Sequence, residues 1–382
     1  MTRWCIIGPT YPFRGGIAHH TTLLTQHLRQ ADDTLLISFT RQYPRWLYPG
    51  RSDRDPSLNP LATEVEYLLD PVNPLSWRRT VRRLNEWQPE GVIMPWWVPF
   101  WAPAWAYIGR QIKGQKSAPK LIFICHNVLP HEGRIIDKIA LRLALVSGDG
   151  YIVHSKSDAD NLKAQFPGAN VRVTPLPTYA ALGKDSTANC PASLPDDRPL
   201  LLFFGFIRPY KGLDILLEAL TQVSQPVHLL VAGEFWENQE KYDDLVLKLD
   251  LGDRVTLVNK YLTDEALAAC MARAEVAVLP YRSATQSAVI QAAFGHGLPV
   301  ITTDVGGLAE VVEDGRTGLI VPVQDPGALA AAIDQFIGQD LGPQFREHIQ
   351  QNQEHFSWQR LIDLIGELSD DQEDNDTDSS SN

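Results

Sequence analysis

The stretch from Val276 to Val321, VAVLPYRSATQSAVIQAAFGHGLPVITTDVGGLAEVVEDGRTGLIV, restricts the fold more than any other part of the chain. Val276–Leu279 is a short apolar run closed by Pro280, which suits a buried parallel strand entering a loop. Small and apolar residues, Ala288, Val289, Ala292 and Ala293, then recur at helical spacing over 286–295, with Thr285 or Ser287 as N-cap and Gly297 as the stop. Pro299–Thr302 reads as a second buried strand, and Gly306-Gly307 open a loop into another helix beginning near Leu308. Strand, helix, strand, helix with buried strands is the repeat of a doubly wound α/β domain. Such a domain sets helix N-termini, with free N–H groups and a positive dipole end, along the carboxyl edge of a parallel sheet, where a phosphate is stabilised.

The same repeat extends through the chain in two halves. Trp4–Gly8, Leu35–Phe39, Gly91–Met94, Lys120–Cys125, Tyr151–His154 and Val171–Pro177 read as strands of the first half. Leu200–Phe204, Val227–Ala232 and Val255–Val258 open the second. Between the halves, Thr178–Pro199 is polar, proline-containing and aperiodic, the best domain boundary. The expected organisation is a first domain over 1–178, a linker over 179–199, a second domain over 200–352, a closing helix over 353–368 and an acidic, serine-rich tail over 369–382 without a fold. At 382 residues and 44% hydrophobic content the chain can supply two cores.

Three loops carry chemistry at the expected carboxyl edges. Gly15-Gly16 lead into the first helix, but the dinucleotide fingerprint GxGxxG is missing, so a nicotinamide cofactor has little support. His126, with Asn127, His131 and Glu132, follows the strand Lys120–Cys125. In FFGFIRPYKGLDILLEAL, Gly205 lets the backbone turn, and Arg208 and Lys211 stand at a helix start, as a diphosphate requires.

This last segment and the Val276–Val321 stretch closely resemble the nucleotide-sugar half of the family-4 retaining glycosyltransferases. The resemblance covers nearly the whole chain and implies the GT-B fold, an α/β architecture of two Rossmann-like domains facing each other across a cleft. It implies an enzyme that moves a sugar from a nucleoside-diphosphate sugar to a glycan, lipid-linked or small-molecule acceptor with retention, with no cofactor beyond that co-substrate and no metal. By the same resemblance Gly15 and Gly16 approach the donor, His126 contacts the donor sugar, Glu310 lies near the same sheet edge, and the closing helix crosses back to the first domain. Arg208, Lys211 and the 285–287 backbone (Thr285, Gln286, Ser287) are assigned to the leaving diphosphate, and Gln291 to the ribose. The family carries two glutamates with seven residues between them where this chain has Ser283 and Gln291, and an arginine directly after the glycine where it has Phe206. A GT-B epimerase or phosphorylase, and a non-catalytic nucleotide-sugar-binding protein, are the competing readings.

Composition narrows the partners. The formal charge of −12 argues against nucleic acid, and seven of the acids, Glu367, Asp370, Asp371, Glu373, Asp374, Asp376 and Asp378, crowd the C-terminus without a compensating base. The four cysteines are far apart and form no zinc or redox motif; Cys5 and Cys125 fall in strand-like runs. No apolar run reaches the roughly 18 residues needed to span a bilayer and no cleavable signal is evident, so the expected location is cytoplasmic. Peripheral contact with the membrane is a further expectation. It rests on the helix Pro74–Trp87, with Trp77, Val81 and Leu84 on one side and Arg78, Arg79, Arg82 and Arg83 on another, and on the aromatic run PWWVPFWAPAWAY. That run suits either an acceptor pocket or the core. The arginine- and aromatic-rich segment 41–60, with Arg41, Tyr43, Arg45 and Trp46, reads as a surface loop that contacts an acceptor or lipid headgroups or wraps its domain. Asp53-Arg-Asp55 and Asp158-Ala-Asp160 match the acidic pattern of metal-dependent transferases, but such pairs arise often by chance.

Overall fold

The computed structural model describes residues 1–44, 46–48, 50–129, 135–183, 188–191 and 193–370. The expectations for Arg45, His131, Glu132 and residues 371–382 lie outside the described residues.

Apolar runs become strands of two all-parallel sheets. The first contains β1 (Arg3–Ile7), β2 (Asp33–Phe39), β3 (Glu66–Leu69), β4 (Gly91–Trp96), β5 (Lys120–Cys125), β6 (Gly150–Val153) and β7 (Val171–Val173), in the order β3-β2-β1-β4-β5-β6-β7. The second contains β8 (Leu200–Phe204), β9 (His228–Ala232), β10 (Val255–Val258), β11 (Val276–Leu279), β12 (Val300–Thr303) and β13 (Gly318–Val321), in the order β10-β9-β8-β11-β12-β13. The strand order reverses between β1 and β4 and between β8 and β11, and ligands of open α/β sheets bind at the carboxyl side of such switch points.

The first domain's helices are α1 (Gly16–Leu28), α2 (Pro74–Trp87), α3 (Ala102–Lys113), α4 (Ile135–Leu145) and α5 (Lys156–Gln165). The second domain adds α6 (Leu213–Leu220), α7 (Glu240–Lys248), α8 (Asp264–Arg273), α9 (Ala288–Gly295), the single-turn α10 (Leu308–Val311), α11 (Pro326–Gly338) and α12 (Gly342–Gln351), and α13 (Trp358–Asp370) is the last helix among the described residues. Their starts follow local chemistry. Asn73 accepts from the Leu75 N–H at 3.1 Å ahead of Pro74, Ser155 from Asp158 at 3.1 Å, and Asp325 from Ala328 at 2.9 Å.

α13 packs on α1, β5 and β6, so the last helix returns to the first domain. Its Trp358 donates its indole N–H to the Thr178 carbonyl at 3.1 Å and stacks on His27 at 5.5 Å between ring centroids. Ser369 and Asp370, expected in the unfolded tail, belong to this helix, and Glu367 pairs with Arg172 at 3.4 Å, so that acid does have a compensating base. Cys190 and Cys270, which no sequence motif joined, form a disulfide between the segment before β8 and α8.

The aromatic run is core. Trp96, Trp101 and Trp105 are fully buried, with Trp101 against Phe39 at 4.2 Å and Trp105 donating to the Pro95 carbonyl at 2.9 Å. Each such side chain contributes on the order of 2–3 kcal/mol through burial. Those three rings therefore offer neither an acceptor wall nor a membrane surface, while Val98, Phe100 and Tyr107 are half-buried. α2 behaves in the same way: Val81 and Leu84 are buried while Arg78, Arg79 and Arg82 face solvent.

Candidate active site

The loops after β1, β8 and β9 and the starts of α8 and α9 enclose a cavity of about 200 Å³ between the two domains. From the first domain come Gly15, Gly16 and His19; from the second come Gly205, Phe206, Lys211, Gly233, Glu234, Tyr261, Asp264 and Ala288. Gly15 enters α1 with φ of 102°, a conformation that suits glycine, and a Cβ on Gly16 would stand 3.2 Å from the Ala288 Cβ across the cleft. The N-termini of α1 and α9 thus approach each other, and the cap of α9, Ser287, makes no side-chain cap bond.

Lys211 is 5% exposed, with its Nζ beside Gly205 and 5.4 Å from the Tyr281 ring centre. Burial, with Arg208 nearby, pushes its pKa down to about 7. Its position depends on Gly212, which ends the Pro209–Lys211 turn at φ of 70° and starts α6. A Cβ there would lie 2.1 Å from the Pro280 carbonyl oxygen. Gly212→Ala is expected to cost about 2–4 kcal/mol, read as a lower urea midpoint; an unchanged midpoint would show that the Pro280 loop moves aside freely.

The other residues expected at the site divide. Arg208 is exposed and does not line the cavity; its guanidinium lies over Tyr210 at 5.4 Å and Trp236 at 5.6 Å. Thr285 donates its hydroxyl to the Asn127 side chain, and the Gln286 amide donates to the His126 carbonyl at 3.1 Å, so both side chains join the domains rather than point at the cavity. Gln291 is buried and its Oε1 has no partner, but it too is outside the cavity lining. Glu310 is exposed and accepts the Lys156 N–H at 3.1 Å, capping α5 of the opposite domain. Ser283 and Thr285 line a second opening of about 600 Å³, together with Leu129, Lys138, Arg282 and Asp304.

His126 lies deeper, 1% exposed, with its ring 4.6 Å from His20 and 5.2 Å from His154 between centroids. Burial first, and then the neighbouring histidines, hold His126 well below the ordinary histidine range, while burial takes His154 to about 4. All three rings are therefore neutral at pH 7. His126, expected at the donor sugar, lines neither the cavity nor the second opening, and its neutral ring supplies no charge.

The largest group that sequence reasoning missed joins the domains around this cavity. Arg14 donates from Nη2 to Glu234 at 2.6 Å, and the side chains are 3% and 4% exposed. The Arg51 N–H reaches the other Glu234 oxygen at 2.7 Å. The Arg14 guanidinium stands over Tyr261 at 4.4 Å and Phe206 at 5.5 Å, so a cation from the first domain covers the phenylalanine that occupies the family's arginine position. Arg14 directly precedes the glycine pair and Glu234 lies two residues past β9, the one sequence signal that could have found either.

His19 lies between Asp264 at 3.4 Å and Asp55 at 3.8 Å. Burial alone would lower the His19 pKa, but the neighbouring Asp55 and Asp264 carboxylates raise it. The expected surface loop is thus in part a strap. Beyond Arg51 and Asp55, Ser57 accepts the Asp264 N–H at 3.1 Å and the Asn59 N–H donates to Glu265 at 2.8 Å. Among the described residues, His19-Asp55-Asp264 and His20-His126-His154 are the groups whose donor atoms lie close enough to hold a cation. In the first, a protonated His19 would already neutralise carboxylate charge. The Asp158 carboxylate instead accepts the Val128 N–H and the Ser155 hydroxyl, each at 3.3 Å, while its own backbone N–H donates to that hydroxyl.

Comparison with known proteins identifies the family and the fold. The model described as Glycosyltransferase Family 4 matches residues 14–178, and that described as Glycosyl transferases group 1 matches 198–339. A D-inositol 3-phosphate glycosyltransferase of Streptomyces coelicolor is 30% identical over 229 residues, 55% of this chain and 50% of the relative, so the chain spans about half the length of the curated relatives it matches. The structure of sucrose-phosphate synthase from Thermosynechococcus elongatus superposes with a TM-score of 0.69 at 22% identity, covering 96% of this chain and 98% of that one. Anabaena HepE in complex with UDP-glucose does so with 0.68 at 17%, covering 96% and 99%. With one family model on each domain and the GT-B architecture throughout, the chain belongs to the family-4, group-1 glycosyltransferases.

Proposed function

We propose that the chain transfers a sugar from a nucleoside-diphosphate sugar to a glycan, lipid-linked or small-molecule acceptor, with retention and without a metal. The observation that carries this reading is the interdomain cavity in which buried Lys211, the Gly205 turn and the N-terminus of α1 converge. As the bond to the anomeric carbon breaks, charge develops on the leaving diphosphate; an ammonium and free helix N–H groups stabilise it there. The Arg14 charge is committed to Glu234, and Arg208 is exposed and outside the cavity lining, so Lys211 carries the electrostatic role. HepE, which binds UDP-glucose in its own structure, makes uridine diphosphate sugars the first donors to test.

The test is a calorimetric titration with a panel of nucleoside-diphosphate sugars in the presence of a chelator, followed by assay of released diphosphate and of the anomeric configuration of the product. Binding and turnover in chelator, with retained configuration, are expected. Inversion, or turnover that requires added metal, would refute the corresponding part. Ser283 and Gln291, both uncharged, favour a second reading as a nucleotide-sugar-binding protein; donor binding with no turnover across an acceptor panel would select it.

A pH dependence follows from Lys211. Above about pH 7 the free protein loses this charge, while a bound diphosphate favours the ammonium. Binding must therefore take up a proton. Donor affinity is expected to be level below pH 7 and to fall by up to about tenfold per pH unit above it. Calorimetry in buffers of different ionisation enthalpy reads that proton directly, and pH-independent binding would remove Lys211 from the diphosphate site.

A further inference from the structure

Most amphipathic helices of this protein bury their apolar side, as α2 does. α4 leaves one uncovered. Ile135, Ile136, Ile139 and Leu143 are 79, 67, 61 and 37% exposed, and Val146, just past the helix end, is 60% exposed. At about 100° per residue these five side chains form one stripe. The opposite side, Leu141, Ala144 and Leu145, is buried in the first domain's core. Exposed Lys138 and Arg142 flank one edge of the stripe, and Asp137, the helix's one acid, lies on the far side. A chain of formal charge −12 thus presents a helix whose outward face is apolar and basic.

The position of α4 adds a second observation. Lys138 also lines the opening of about 600 Å³ formed with Leu129, Arg282, Ser283, Thr285 and Asp304. Residues from both domains meet there, and Thr285 binds Asn127 next to His126. The stripe therefore adjoins a mouth of the interdomain cleft.

We propose that α4 docks on an anionic lipid surface and that the acceptor enters the cleft from that surface, as a lipid-linked molecule. Docking itself stands apart from the transferase reading; the nature of the acceptor rests on it. Charge decides between a bilayer and a second copy of the chain. Two α4 helices meeting about a two-fold axis would bring Lys138 and Arg142 of each copy into one interface, where like charges repel. Anionic headgroups accept those cations while the isoleucines enter the acyl boundary.

The experiment is co-sedimentation of the full chain with zwitterionic vesicles and with vesicles containing about one third anionic lipid. Ile139→Glu/Leu143→Glu tests the stripe and Arg142→Glu the charge. All three substituted side chains are exposed, and an unchanged melting temperature checks folding. The native chain is expected to pellet with anionic vesicles, more weakly at high salt, and the double variant to partition at least about tenfold less. Failure of the native chain to pellet, equal binding by the double variant, or a dimer that the double variant abolishes would overturn docking. Donor titration without vesicles, in the same preparation, tests the transferase reading separately. Where the donor binds, equal turnover of a lipid-linked acceptor by the native chain and the double variant on vesicles would refute entry from the bilayer.

Discussion

Replacing Lys211 by alanine is expected to lower kcat/KM for the donor about 100- to 1000-fold, the loss typical of a preorganised group facing a leaving anion. The ammonium is held in place before the donor arrives: it is 5% exposed, set beside Gly205 by the Gly212 turn and backed by the Tyr281 ring. Because the same ammonium meets the bound diphosphate and the charge that develops as it leaves, the loss is expected in both KM and kcat. Stability should not fall in parallel, since burial already disfavours the charged form, as its pKa of about 7 records. Lys211→Met keeps the stem and removes the charge. If that variant retained kcat/KM within about threefold, packing would be the residue's role and the electrostatic assignment would fail.

Glu234→Ala is expected to be the most damaging single change to stability among the charged residues, by about 3–5 kcal/mol. Arg14 and Glu234 are nearly inaccessible, and removing the acid leaves a guanidinium buried without its carboxylate and frees the Arg51 N–H as well. Removing both charges together is far less costly, because the burial penalty of each ion disappears with the pair. A double-mutant cycle with Arg14→Met and Glu234→Leu should therefore recover most of the loss, measured as denaturant midpoints. The pair spans the cleft, so the single variants should also loosen domain closure, seen as faster amide exchange in the 51–59 strap. A shift below about 1 kcal/mol in Glu234→Ala would mean that the domains in solution do not hold this contact.

How much of this was legible beforehand differs by residue. The repeat of short apolar runs and helical segments specified the doubly wound sheets, and the glycine pair at 15–16 and the Gly205–Lys211 segment marked two of the three loops that line the cavity. Asn73, Ser155 and Asp325 started helices as their side chains dictate. Periodicity also assigned an apolar side to the Trp77 helix. It does not say whether such a side meets a core or a membrane, since both are apolar, and membrane contact was accordingly expected at α2 and the aromatic run when α4 is the helix with the uncovered stripe.

What the sequence by itself determined is the set of local choices, fixed by the geometry of a few consecutive residues: which runs are strands, where helices start, and where a glycine must turn. Pairing across long separations emerges only in the folded molecule. Arg14 finds Glu234 across 220 residues, Asn59 finds Glu265 across 206, and Cys190 meets Cys270 across 80. No period or spacing encodes those partners: the first two pairs meet only where the two domains face each other across the cleft, and the cysteines only where the segment before β8 packs on α8.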